Sequence, residues 1–169
     1  MYWYLTFVST NLKNMQTPFN KYTVQGNLFL SQLADELNMP KNKTRALHIL
    51  KAVLHGIRNR ISPEESAQFI AQLPMLIKAV YVDGWQIGKH QKRVSNFGEF
   101  VDEVYDLGGA YKGLAFGDRM EAERGIQLVF KVLKNYISDG EFNDVLASMP
   151  NKLRSDLLDM LMSNGGLVM

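Results

Sequence analysis

The sequence predicts an all-α protein, two tandem repeats of a four-helix unit packed into one helical bundle body. Three observations carry this expectation. Apolar residues recur at three- and four-residue spacing through most of the 169-residue chain. Helix-capping residues stand where those stretches begin. The punctuation of residues 42–74 also returns at 118–150, at a constant shift of 76.

The return is detailed. Asn42 falls on Asp118, and both suit an N-cap because a short side-chain oxygen accepts from an orphan amide of the first turn. Ser62 with Glu65 falls on Ser138 with Glu141, the spacing of a capping box, in which the glutamate reaches back to the amide of the cap. Pro63 suits a first helical turn, and Pro74 and Pro150 each open a further helix. Ala46, Val53, Asn59, Ile61 and Ala71 recur as Ala122, Val129, Asn135, Ile137 and Ala147. Ala46, Ile49, Leu50, Val53, Leu54 and Ile57 line one side of a helix, as do Ile126, Val129, Phe130 and Leu133.

Phe29, Leu30, Leu33 and Leu37 mark a helix before the first block; Phe100, Val101, Val104 and Leu107 mark one before the second. The expected helices are 22–38, 43–60, 63–73, 74–82, 97–107, 119–136, 139–148 and 150–162. The apolar stretch at Val80–Val82 is read as a continuation of helix. The domain plan is an N-terminal extension at 1–20, a first repeat at 21–85, a linker at 86–96 and a second repeat at 97–165. Short loops imply antiparallel neighbours, and such short helices bury enough only if the units share a core.

Composition narrows the chemistry. With 46% hydrophobic and 21% charged residues the chain has material for a core and is not of disordered composition. It has no cysteine, which removes disulfides, thiolate metal sites and cysteine nucleophiles. The apolar start, Met1 to Val8, is too short to span a membrane and lacks the basic n-region of a signal peptide, so the expected location is cytoplasmic. Residues 1–14 fit the helical pattern poorly. Met15 is an alternative start that would make them an extension, and docking of Trp3 and Phe7 on the body is the other reading. Residues 1–93 carry 12 Lys/Arg against 5 Asp/Glu, and residues 94–169 carry 7 against 12, so a basic half precedes an acidic one. That asymmetry favours attraction between the halves or between chains.

Two stretches resemble a known family. Lys21-Tyr22 with Gly26-Asn27-Leu28-Phe29-Leu30, and Ala71-Gln72-Leu73-Pro74 running to Tyr81-Val82-Asp83-Gly84-Trp85, are similar to the bacterial domain of unknown function 2267 family, with Asp118–Arg124 as an echo in the second half. The resemblance covers about residues 20–165. It implies a helical bacterial protein without an assigned activity, and it carries over no site residues.

Each candidate site has a plain structural alternative. His48 and His55 lie, on a helical wheel, opposite the Leu50–Ile57 face and beside Lys51, Arg58 and Asn59; they lack the further ligands a metal needs and are read as solvated surface. Lys89-His90-Gln91-Lys92-Arg93 is a basic linker, but the excess is small and no nucleic-acid motif accompanies it, so nucleic-acid binding is not expected. Glu99, Asp102, Glu103 and Asp106 crowd one helix and require neutralisation by the basic half or by another chain; an exposed acidic face is the preferred reading. Gly108–Gly117 is glycine-rich, yet it has no preceding strand and Asp118 would occupy the phosphate position. Tyr81, Asp83 and Trp85 are the candidate interaction residues, since aromatics anchor binding hot spots; the alternative is that Trp85 plugs the seam between units. No cofactor or metal is expected. The reading is a non-enzymatic protein-protein interaction adaptor or scaffold, working through a protein partner or self-association. The alternative is a small-molecule or lipid-binding protein with a pocket between the repeats.

Overall fold

The computed structural model describes residues 18–88, 93–109 and 115–163, and these form eight α-helices with no strand. They are α1 (Asn20–Glu36), α2 (Lys43–Arg58), α3 (Pro63–Gln72), α4 (Met75–Val82), α5 (Phe97–Leu107), α6 (Arg119–Leu133), α7 (Asp139–Ala147) and α8 (Asn151–Ser163). Each begins and ends within a few residues of the sequence expectation. No helix among the described residues is long and apolar enough to cross a membrane.

Five of the helix starts are fixed by side-chain caps, whereas α1 and α4 follow Phe19 and Pro74 without one. Asn42, Ser62, Asn96, Asp118 and Ser138 each accept from the amide three residues on. Return contacts differ from the expected capping boxes. Glu99 and Glu121 do reach back, to the amides of Ser95 at 2.7 Å and Gly117 at 2.6 Å. Glu65 and Glu141 do not: the Ser138 amide donates instead to Gln72 Oε1 at 2.7 Å. Gln72 at the end of α3 thus takes the amide that Glu141 of α7 would have closed on.

Helix α2 is the axis of the molecule. It packs on α1, α4, α5 and α6, and its buried residues run from Ala46 to Arg58 around the helix rather than along one stripe. One continuous apolar core draws on all eight helices, so neither half holds a core of its own. The closest approach is at Gly56, where a Cβ would stand 2.8 Å from Val104 and 3.1 Å from Phe100 on α5. Charge also joins the halves: Arg60 bonds Glu103 at 2.9 Å, Arg45 pairs with Glu121, and Lys131 with Glu36 at 2.7 Å.

Because α5 sits on the bare backbone of Gly56, Gly56→Val is expected to overpack the core and cost about 1–3 kcal/mol. Urea denaturation followed by circular dichroism measures it.

Candidate functional site

The Tyr81–Trp85 corner is built from the end of α4 and the side of α2. Helix α4 ends at Val82, and Gly84 turns the chain at φ 64°, in the left-handed region that favours glycine. The Trp85 amide closes the turn on the Val82 carbonyl at 3.0 Å.

Arg58 organises the corner. Its Nη1 donates to the Tyr81 carbonyl at 2.5 Å and to the Asp83 carbonyl at 3.0 Å, groups left without helical partners at the end of α4. Its guanidinium carbon lies 5.9 Å from the centre of the Trp85 ring, in cation–π range. The side chain is 9% exposed, and burial pulls its pKa below the ordinary value, opposed by Tyr81 and Asp83. No carboxylate among the described residues pairs with it within ion-pair distance. The negative end of the α4 dipole and the face of Trp85 answer its charge instead.

The neighbours complete the arrangement. Tyr81 is wholly buried, its ring edge-on to Phe69 at 5.5 Å and to Trp85 at 5.9 Å, with its hydroxyl 2.8 Å from Ser66 Oγ. Burial pushes the Tyr81 pKa up to about 12, so the phenol keeps its proton. Asp83 lies on the surface with Oδ2 2.6 Å from Lys51 Nζ, and that hydrogen bond holds its carboxyl below the usual range. The Tyr81 ring thus serves the core, while Asp83 is exposed and Trp85 half-buried.

His55 corrects the sequence reading. It is partly buried against α4, not solvated, and its Nε2 lies 3.0 Å from the Val80 carbonyl, which fixes the Nε2–H form. Burial lowers its pKa to about 4, against the raising effect of that bond. His48 is half-buried as well. The wheel fails because α4 packs over the His55 side of α2, which an apolar face on the other side does not reveal. Arg58 was overlooked for the same reason, although it stands in row with Ala46, Leu50 and Leu54 at four-residue steps.

The acidic helix α5 is largely neutralised at home. Glu103 sits between Arg60 and Asn59 Nδ2, both at 2.9 Å, and is 10% exposed. Asp102 pairs with Arg119 at 2.6 Å. The expected exposed acidic face holds for Glu99, Asp102 and Asp106 but not for Glu103, which turns toward the basic half. Lys89–Lys92, Ala110–Leu114 and residues 1–14 lie outside the described residues. Ser62 and Ser138 cap helices as expected. Met149 and Met160 are in the core, whereas Met75, Met120 and Met162 are exposed.

The fold and this corner define a helical protein whose most distinctive sequence feature is a capped helix end. Residues 26–155 match the family model described as an uncharacterized conserved protein (DUF2267), and the chain belongs to that family. No curated protein matches the chain.

Two outcomes follow from the corner. Arg58→Ala leaves two carbonyls without their donor and is expected to cost roughly 2–3 kcal/mol, read by urea denaturation with Trp85 fluorescence as the local probe. His55 has a folded pKa near 4, below the ordinary 6.5, so the unfolded chain takes up its proton first. The stability it supplies is complete above pH 6.5 and is lost as pH falls through 6.5 toward 4. His55→Gln, which keeps a donor for Val80, is expected to flatten the stability profile in that window.

Proposed function

We propose that this chain is a non-enzymatic helical adaptor or scaffold that docks another protein at the end of α4, in the cytoplasm of a bacterium, the bacterial origin alone being what the family resemblance implies. One observation carries the reading: Val82 and Ile87 stand 42% and 70% exposed on either side of Asp83 and the half-buried Trp85. A rigid turn presenting apolar side chains beside an aromatic ring is what a binding hot spot requires. Asp83 adds a charge that fixes orientation, and Arg58 fastens the turn from behind.

A pocket between the halves is the competing reading. Cavities that touch both halves include one of about 110 Å³ lined by Leu37, Met39, Ile49 and Ala115, one of about 380 Å³ beside Leu28, Leu73, Met75 and Tyr136, and one of about 650 Å³ beside Gln32, Asp35 and Tyr136. The first is below the ~300 Å³ of a drug-sized site, and the two larger ones are grooves open to solvent where such a site encloses most of its ligand, which favours the adaptor.

We also propose that the body is a duplication: an extension at 1–20, repeats at 21–85 and 97–165, and a linker at 86–96. Matched neighbours support it. Helix α1 packs on α2, α4 and α6; α5, its counterpart, packs on α6, α8 and α2. Helices at equivalent places meet their own counterparts, α2 on α6 and α3 on α7. Residues 76 apart also touch: Arg45 pairs with Glu121, and a Cβ on Gly125 would lie 3.1 Å from Ile49. Such self-pairing is what a pseudo-twofold axis produces.

The test of the adaptor is capture of bound proteins from native-host lysate on wild type and on Val82→Glu/Ile87→Glu, identified by mass spectrometry. Both positions are exposed, so the double variant is expected to keep the wild-type melting temperature and to lose the partner. Recovery of the same proteins on both baits would end the reading.

A further inference from the structure

An apolar groove of about 380 Å³, open to solvent, runs between α1 and the start of α4. Tyr22 and Leu28 line it from α1, Leu73, Pro74 and Met75 from the α3–α4 junction, and Tyr136 from the second half. Leu28 and Met75 are 60% and 45% exposed, so large apolar side chains stand in water there. Phe19, just before α1, is exposed as well, with its ring 6.3 Å from that of Tyr22 at the near end of the groove. Contiguous apolar surface of this kind marks a place where something docks. Lys78 is the one charged residue among those described that line it, and its Nζ is held by the Ala71 carbonyl at 3.0 Å. The occupant that fits is therefore apolar and uncharged.

The chain itself carries a segment of that chemistry. From Met1 to Val8 only Thr6 falls outside the hydrophobic residue types, and no residue is charged. The described residues begin at Pro18, two positions before α1, so the preceding chain enters at the Phe19–Tyr22 end of the groove. Length permits a return. Ser9–Thr17 separate the apolar run from Pro18, and nine residues reach up to about 30 Å. Phe19 to Leu28 is only about 14 Å along α1. A short tether also presents its end at an effective concentration on the order of 1 mM. A contact with a dissociation constant of about 0.1 mM, weak for an interface, is then occupied roughly nine times in ten.

We propose that the Met1–Val8 segment of the same chain docks in the groove between α1 and the start of α4, with Trp3 and Phe7 as its anchors against Leu28, Met75 and Tyr136. Removing two aromatic side chains and the groove walls from water supplies the driving force. The segment then covers a surface that would otherwise be open to other apolar partners. The groove lies at the start of α4 and the Tyr81–Trp85 corner at its end, so this inference does not rest on the adaptor reading.

The test uses the full chain. Its tryptophans are Trp3 and Trp85, so Trp85→Phe leaves Trp3 as the only indole emitter. The expected result is blue-shifted Trp3 emission, shielded from acrylamide. Adding Leu28→Glu/Met75→Glu, at exposed positions, is expected to shift it to the red and raise quenching several-fold, with unchanged helical circular dichroism. Trp3 emission in buffer equal to that in urea overturns the proposal, and so does shielding that survives the groove variant. A second readout is independent of those variants. The chain has no cysteine, so Thr6→Cys takes a single spin label, expected to broaden the methyl signals of Leu28 and Met75 within one molecule. Absence of broadening overturns the proposal. Broadening seen only between molecules, when spin-labelled and isotope-labelled chains are mixed, assigns the groove to a second copy and overturns it too.

Discussion

Helix α2 is clasped by four others, and only the side that carries Thr44, His48, Lys51 and His55 stays partly open to water. Its four neighbours each require a matching row of side chains, and its sequence supplies them: small residues where α5 approaches, branched ones toward the core, and His55 and Arg58 toward α4. Helix α6, at the equivalent place in the second half, likewise packs on four helices, α1, α2, α5 and α8. This is why the chain has one core rather than two. It is also why charged residues near the C-terminus of α2 bond with carbonyls of another helix instead of with solvent.

What the residues reveal in isolation depends on range. Caps operate over three positions, and Asn42, Ser62, Asp118 and Ser138 were identifiable as helix starts from that spacing alone. Helix number and order follow from periodicity. A helical wheel, however, gives the phase of an apolar face and not the number of partners around it. His55 and Arg58 consequently looked solvated, and only the four-residue row through Leu50 and Leu54 hinted otherwise. Glu141 does not close its expected capping box because Gln72, 66 residues away, takes the Ser138 amide, a contact that local spacing does not convey. The Tyr81–Trp85 corner was recognisable as special. That Tyr81 belongs to the core, Asp83 to the surface and Trp85 half-way between, with Arg58 bonded to the backbone of the turn, is conveyed by no spacing rule.

Arg58 and Glu141 illustrate two ways to place a charge inside a protein. The guanidinium keeps its proton and finds dipoles: the carbonyls of Tyr81 and Asp83 and the face of Trp85. The carboxyl finds the amide of Gln72, and burial raises its pKa above the ordinary value. The first arrangement is indifferent to ordinary changes of pH because arginine does not titrate there, whereas the second responds to it.

The pairing of Arg45 with Glu121 has a historical consequence, on the duplication proposed above. When two identical copies meet about a twofold axis, every residue near the axis meets itself, and an arginine there would face an arginine. Opposite charges at equivalent positions, like a bulky Ile49 against a bare Gly125, can arise only after the two copies are encoded separately and drift apart. Each such mismatch makes a return to separate, self-pairing halves harder. The covalent connection between them, once a convenience, has become a requirement written into the interface.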